Sequence, residues 1–378
     1  MKRHAVLAIA VSLFADCALA QSHVTVYGSL GAALRVKTHA SPGGASAWAI
    51  GPSPNAAGIW GVWGTEEIGG GFKAHFNLES GFDLDTGSLS YSGLNWGREA
   101  LVGLTTPFGR FDAGRLQVQG LAVQPLVMAD PMGGNGSFAE TIWPGLYTGS
   151  RYSNALRWRA NVGPISGSLF TALGESSVPS TGAGRTLAAT LGYKEGPLYM
   201  LAAIQSNHDM NDRSNEVSTL AATYITGATT WHAAALRGRR EQGFVMGGVG
   251  EPLAASGLGL GPRVPSIGAF EVRFVFAGIT QRLTAVTTVK LAWYYARSDG
   301  GTLISTDSGK QQTCYAVLEH AFSKRTFFEA SFDRNRWTGG WGGFWGSSVE
   351  SGAAAAGNPF RNGFDTRASL SAGLRHEF

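Results

Sequence analysis

Polar and apolar residues alternate along much of this chain with the period of two that a strand wetted on one face requires. In one such run Lys73, His75, Asn77 and Glu79 are polar, and the intervening Phe72, Ala74, Phe76 and Leu78 are apolar. Another puts Val24, Val26, Gly28, Leu30, Ala32, Leu34 and Val36 on one side and Thr25, Tyr27, Ser29 and Arg35 on the other. Leu283 to Arg297 groups Val289, Leu291, Trp293 and Tyr295, and Phe270 to Phe276 is similarly long and aromatic. Phe327 to Trp337 sets Phe328, Ala330, Phe332 and Arg334 against Phe327, Glu329, Ser331 and Asp333. The last run sets Leu370, Ala372, Leu374, His376 and Phe378 against Ser369, Ser371, Gly373, Arg375 and Glu377, and the chain stops there. Runs as long as Val24 to Val36 exceed the usual soluble strand and fit one that crosses a bilayer at a tilt.

The connections between these runs are of two kinds. Tight turns are predicted at residues 66–70, 106–109, 161–164, 194–197, 226–228, near 278–282, and at 323–325, most of them supplied with Gly, Pro or Asn. Long connections fall near 37–57, 84–96, 118–150, 174–184, 207–216, 241–265, 298–310 and 338–361. Short turns alternating with long loops join sixteen strands, and an even number of strands with this asymmetry is the layout of an all-β, antiparallel transmembrane barrel. Its first and last strands should pair, because a closed barrel leaves no open edge in lipid. Trp60, Trp158, Trp231, Tyr294 and Trp337 are placed to form aromatic girdles at the two lipid interfaces.

Composition agrees with a barrel better than with a soluble enzyme. Of 378 residues only 15% are charged and 54 are glycine, against about 25% charged and 7% glycine in ordinary domains. Residues 1–20 read as a secretory signal peptide: Lys2 and Arg3, an apolar stretch from Ala5 to Phe14, and Ala18-Leu19-Ala20 before the cut. Lipid attachment at Cys17 is the alternative, with Asp16 standing where that signal needs a small neutral residue. The remaining domain, 21–378, holds Cys314 alone and so no internal disulfide, and its charge of about +3 is too small and dispersed for a nucleic-acid binder.

Several stretches carry a family resemblance. Val24-Thr25-Val26-Tyr27-Gly28, Gly64 to Ala74, Leu78 to Gly87, Gly97-Arg98-Glu99-Ala100 and the ending Gly373 to Phe378 together resemble the general porins of Gram-negative outer membranes. The resemblance implies a homotrimer of sixteen-stranded barrels in outer-membrane lipid, passing small hydrophilic solutes and ions. It implies that the terminal Phe378 is read by the barrel-assembly machinery, and that the third long loop, 118–150, folds into the lumen. Asp130 and Glu140 would then be acidic groups at the constriction, facing a basic wall drawn from Arg35, Lys73, Arg98, Arg115 and Arg157. Such a transverse field selects ions by sign without trapping them. At Ile59 and Trp63, where the family often carries basic residues, this chain is apolar. Lumen-facing side chains at those positions would weaken anion preference.

No catalytic, cofactor or metal site is predicted. Adjacent Glu66 and Glu67 would point to opposite faces of a strand, the histidines are scattered, and Gly247 to Gly250 lacks the lysine of a phosphate-binding loop. The Trp- and Gly-rich run Arg336 to Trp345 suits an interfacial girdle and also a sugar- or organic-solute-binding mouth. Three functions therefore stand side by side: a diffusion channel, selective or not; an outer-membrane hydrolase, whose Ser/His constellation is not apparent; and a soluble β-rich binding protein.

Overall fold

The computed structural model describes residues 22–41, 43–55, 58–90, 94–133, 148–173, 184–209, 211–244, 268–301, 306–340 and 364–378. The segment read as a signal peptide, Glu140, Gly247 to Gly250 and the end of the Trp-rich run lie outside the described residues. The strands in chain order are β1 (Ser22–Lys37), β2 (Ala47–Pro52), β3 (Gly58–Gly69), β4 (Phe72–Phe82), β5 (Glu99–Thr106) and β6 (Gly109–Gln117). They continue with β7 (Arg151–Val162), β8 (Ile165–Ala172), β9 (Thr186–Glu195), β10 (Leu198–His208), β11 (Ser214–Thr226) and β12 (Thr229–Arg240). The remainder are β13 (Phe270–Arg282), β14 (Thr287–Asp299), β15 (Gly309–Ala321), β16 (Thr326–Gly339) and β17 (Thr366–Glu377).

From β3 onward every strand pairs antiparallel with the next, and β17 returns to β1. The seventeen segments make sixteen staves, because β1 meets two pieces on one side: Ser22 to Ser29 pair with β3, and Ala32 to Lys37 pair with β2. The predicted first loop, 37–57, is thus too long, since Ala47 to Pro52 continue the sheet. Between the two pieces the chain turns inward. Ser53 Oγ donates to Glu329, Asn55 N donates to Glu329 Oε2 at 3.1 Å, and Asn55 Nδ2 donates to Glu319 Oε2 at 2.9 Å. Closure ends in a reciprocal backbone pair: Gly28 N donates to Phe378 O at 3.1 Å and Phe378 N to Gly28 O at 3.0 Å. A typical stave of twelve residues is about 40 Å long at 3.3 Å per residue and, tilted by about 45°, crosses about 28 Å, close to a bilayer core.

The turns lie largely as expected. At Gly196 and Gly227 φ is 54° and 59°, a left-handed conformation that glycine adopts without a Cβ penalty and that matches the twist of a hairpin. Two predicted turns move. Gly278 to Arg282 belong to β13, and the reversal comes after them, where Leu283 N and Thr284 N donate to Thr287 O at 2.9 and 3.2 Å. Glu66 and Glu67 are the last turn of alternation in β3, and the reversal is made by Gly69, Gly70 and Gly71, all with positive φ.

The barrel is inside-out relative to a soluble protein. Val24, Val26, Leu34, Val102, Leu156, Leu169, Leu191, Ile204, Leu220 and Leu370 are outward and exposed, whereas most buried polar side chains, among them Glu79, Asp112, Arg157, Gln205, Asn207, Glu329, Asp333 and Arg375, line the interior. The dry face therefore meets lipid. Trp60 and Trp231 stand on it, but Tyr294 and Trp337 do not: both are buried inside the barrel, a correction to the girdle expectation. Alternation in β14 already separates Tyr294 from its outward neighbours Trp293 and Tyr295.

Candidate functional site

The interior wall holds two charged clusters. In the first, Arg157 on β7 is buried and its guanidinium contacts Asp112 Oδ2 at 2.9 Å and Glu99 Oε1 at 3.7 Å. Asp112 also receives Arg110 and His75 at 2.8 Å and Arg159 at 3.1 Å. These residues converge because Asp112 faces Arg157 across the β6–β7 ladder and Gly103, opposite Asp112 on β5, leaves space that the His75 ring fills. Beside it, Tyr27 OH donates to Glu79 Oε2 at 2.8 Å and Arg98 Nε to Glu79 Oε1 at 2.5 Å. In the second cluster Arg35 Nη2 meets Asp333 Oδ1 at 3.3 Å, and Arg375 meets Glu329 at 2.8 Å and Glu319 at 2.7 Å. A cation held this way keeps its charge near the water column while its desolvation is offset by carboxylates and carbonyls.

The chain leaving β6 runs against the same interior face. Arg157 Nη1 donates to the carbonyls of Gln117 and Gln119, each at 3.2 Å, which pins the start of the segment to the wall. Farther on, Gln205 Oε1 accepts from Ala122 N at 2.8 Å, and Thr219 Oγ1 donates to Ala122 O at 2.8 Å. A single-turn helix, Gln124–Ala129, starts with Pro125 at its head and buries Leu126 and Ala129 against β10, β11 and β12. Its end is tied by the His232 ring, with Nδ1 2.7 Å from Ala129 O. Asp130 Oδ1 then accepts from Tyr294 OH at 2.6 Å, Tyr315 OH at 2.9 Å and Met132 N at 3.1 Å. These inward partners come from β10, β11, β12, β14 and β15, so residues 118–133 lie inside the barrel along that wall.

The sequence-predicted residues fall as follows. Asp130 is buried against tyrosines, at the point where the segment is fastened. Arg35, Arg98 and Arg157 face the interior, in the ion pairs given above. Lys73 stands at the short-turn rim, half exposed, with Nζ 2.5 Å from Glu67 Oε1. Arg115 is on the opposite side of the wall: it shares the outward face of its register partner Ala100 and donates to Gly97 O at 2.8 Å and Ser153 Oγ at 2.9 Å. Ile59 and Trp63 are directly opposite Gly81 and Asn77, and Trp63 is opposite Thr25, which places both side chains on the lumen face. Trp63 is 38% exposed there, edge-on to the His23 ring at 5.8 Å. Sequence reasoning missed Asp112, Tyr294 and Tyr315; strict alternation of Phe111 with Asp112 and of Trp293 with Tyr294 carried the signal. Among the described residues no group of His, Cys, Asp or Glu could hold a metal ion.

A closed, even-stranded barrel that is apolar outside and ionic inside is a transmembrane β-barrel channel. The profile of the Gram-negative porins matches residues 5–340. The chain is 27% identical over 293 residues to outer membrane porin protein 32 of Delftia acidovorans, covering 74% of this chain and 81% of that one. A shorter match to an outer membrane porin protein of Bordetella pertussis is 46% identical over 57 residues, 15% of either chain. Among solved structures, the anion-selective porin from Comamonas acidovorans superposes with a TM-score of 0.71 at 20% identity, covering 95% of this chain and all of that one. The trimer form of OmpT from Vibrio cholerae does so with 0.64 at 13% identity, covering 94% and 99%. The chain belongs to the Gram-negative porin family: it is an outer-membrane channel for passive diffusion of small solutes.

Proposed function

We propose that the narrowest part of this channel is formed by the loop following β6, residues 118–150, with Asp130 and Glu140 as its acidic groups and Arg35, Arg98 and Arg157 as the basic wall. The observation that carries this reading is the seating of residues 118–133 on the interior faces of β10 to β15, where every fastening is to an inward side chain. Lys73 belongs to the rim and Arg115 to the outer surface, so neither contributes to this constriction. The pore is weakly selective, because Arg35, Arg98, Arg157 and Arg375 on the interior wall each sit beside a carboxylate, which reduces the field each sends into the lumen. The Comamonas relative is described as anion-selective; here Ile59 and Trp63 put apolar bulk on the lumen face, which lowers anion preference and favours solutes with a flat apolar side. That last point is the second reading, a solute-selective channel.

As in the trimeric OmpT structure, the barrel assembles as a homotrimer. Phe378 serves as the signal to the barrel-assembly machinery, residues 1–20 are removed on secretion, and the protein catalyses no reaction. The test is reconstitution of the folded protein in planar bilayers. Stepwise conductance with a small reversal potential in a salt gradient is expected, and Trp63→Lys should move that potential toward anions. A folded protein that gives no steps would sink the channel reading; a Trp63→Lys variant with unchanged reversal potential would remove Trp63 from the permeation path.

A further inference from the structure

The outward face is not apolar throughout: it carries a row of cations across β12 to β15. Near the long-loop rim, Arg237 on β12, Arg273 on β13, Arg297 on β14 and Lys310 on β15 are direct register partners, one beside the next. All four point outward, and the three arginines are half or more exposed. Adjacent strands are about 4.8 Å apart, so four like charges occupy a row about 15 Å long, an arrangement that destabilises a sheet unless an anion is present. The next row supplies too little compensation. Glu271 alone is shared by Arg237 and Arg273 at 3.0 Å and Arg239 at 3.3 Å, and Arg297 has Asp299 at 2.8 Å. Glu216, the register partner of Arg239, is the remaining acid of that row. Over the two rows five cations stand against three carboxylates.

An independent feature leads to the same place. A groove of about 1150 Å³ crosses the outer surface diagonally from β5 to β12. It begins in the short-turn half at Phe111 and Trp158, passes over small or aliphatic side chains such as Leu169, Ala189 and Ile204, and ends at Glu216, Arg237 and Arg239. An apolar groove open to the bilayer that terminates in arginines at the outer rim matches a molecule with acyl chains and phosphate groups. The geometry points to a binding site for a phosphorylated, acylated lipid of the outer leaflet, its phosphates on the Arg237–Arg273–Arg297–Lys310 row and an acyl chain in the groove. Arginine is the side chain suited to phosphate, through its planar paired donors. Nothing in the permeation path depends on this surface.

The experiment titrates the folded, full-length protein in detergent with lipid A, a diphosphorylated glycolipid, and reads bound lipid by native mass spectrometry. Each rim arginine is worth roughly fivefold in affinity for an anionic lipid, so Arg237→Gln/Arg273→Gln/Arg297→Gln should bind roughly a hundredfold more weakly. The matching triple Lys variant should retain most of the affinity, and Ala189→Trp, which fills the groove, should weaken lipid A while leaving the arginine row intact. If the Gln variant does not reach the heat-modifiable folded form, the Lys and Ala189→Trp variants carry the test, and folded Ala189→Trp with wild-type affinity overturns the site. Equal affinity of the Gln variant and wild type overturns the proposal. So does full competition by inorganic phosphate, which would make the row a simple anion site. A Gln variant that changes oligomeric size and keeps lipid binding assigns the face to a subunit contact instead.

Discussion

Replacing Asp130 with Ala should release the inner loop without unfolding the barrel. The carboxylate receives two tyrosine hydroxyls and one backbone amide, at 2.6, 2.9 and 3.1 Å. Hydrogen bonds to a charged acceptor contribute roughly 1.5–3 kcal/mol each, but the loss is not three times that. Tyr294 OH already lies 2.9 Å from Tyr315 OH, so the pair can bond to each other when the carboxylate is gone. About 4 kcal/mol is a reasonable net figure, or roughly a thousandfold in the equilibrium between the docked and released segment. Tyr315→Phe removes one donor and leaves the other, at about 1.4 kcal/mol or tenfold. Amide exchange of residues 124–132 reads this opening equilibrium directly. The expected order is Asp130→Ala much faster than Tyr315→Phe, itself faster than wild type, with the amides of β13 to β15 unchanged. Single-channel records of Asp130→Ala should show excess open-channel noise. Exchange in Asp130→Ala indistinguishable from wild type would refute the fastening role, because the apolar contacts of Leu121, Leu126 and Met132 would then hold the loop by themselves.

Other substitutions probe the wall and the closure. Arg157→Met leaves Glu99 and Asp112 short of a buried cation and frees the carbonyls of Gln117 and Gln119, so the urea midpoint should fall by the equivalent of about 3–5 kcal/mol; a change below about 1 kcal/mol would mean that Arg110, Arg159 and His75 suffice for Asp112. Gly28→Val builds a Cβ only 2.7 Å from Ile59 O and against the Phe378 ring, whereas Gly51 has nothing within 4 Å. Heat-modifiable folding should therefore be lost or slowed in Gly28→Val and preserved in Gly51→Val, and equal yields would contradict the closure geometry. Ser53→Ala with Asn55→Ala removes the two side-chain bonds to Glu329 and Glu319 and leaves the backbone amide of residue 55 on Glu329, and it should raise conductance if the inward step between β2 and β3 narrows the lumen; an unchanged conductance assigns it to packing alone.

How much of this was legible in the chain depends on the range of the interaction. Stave number, loop asymmetry and the lipid-facing side follow from period-two alternation, which is local, and the β1–β17 closure follows because a barrel has no alternative for its ends. The break between β2 and β3 was not legible: Ser, Pro, Asn and Ala at 53–57 look like the tip of a loop, and only Glu329 and Glu319, far along the chain, explain why Ser53 and Asn55 turn inward. Tyr294 looks like an interfacial aromatic by residue type, and only its phase within β14 turns it inward. Asp130 was legible as a functional position but not in its contacts, since two tyrosines on β14 and β15 approach it only after the barrel closes. Arg115 follows the outward phase of Phe111 and Ala113, and a basic residue there is easily mistaken for a pore charge.

The ion pairs also bear on why selectivity should be weak and local. At an effective dielectric of about 20, unit charges 4 Å apart interact by about 4 kcal/mol, and a second charge of opposite sign beside the first reduces the field felt by an ion in mid-channel to that of a dipole. Arg98 with Glu79, Arg35 with Asp333 and Arg375 with Glu329 are such dipoles, whereas Asp112 is shared among Arg110, Arg157 and Arg159. Removing the acid of a pair should therefore change permeation more than removing an exposed charge at the rim. Asp333→Asn exposes the Arg35 charge to the lumen and should move the reversal potential toward anions, while Glu67→Gln, whose partner Lys73 is already half in water, should leave it within the scatter of wild type. The opposite ranking would mean that the rim, and not the paired wall, sets the sign of the ions that pass.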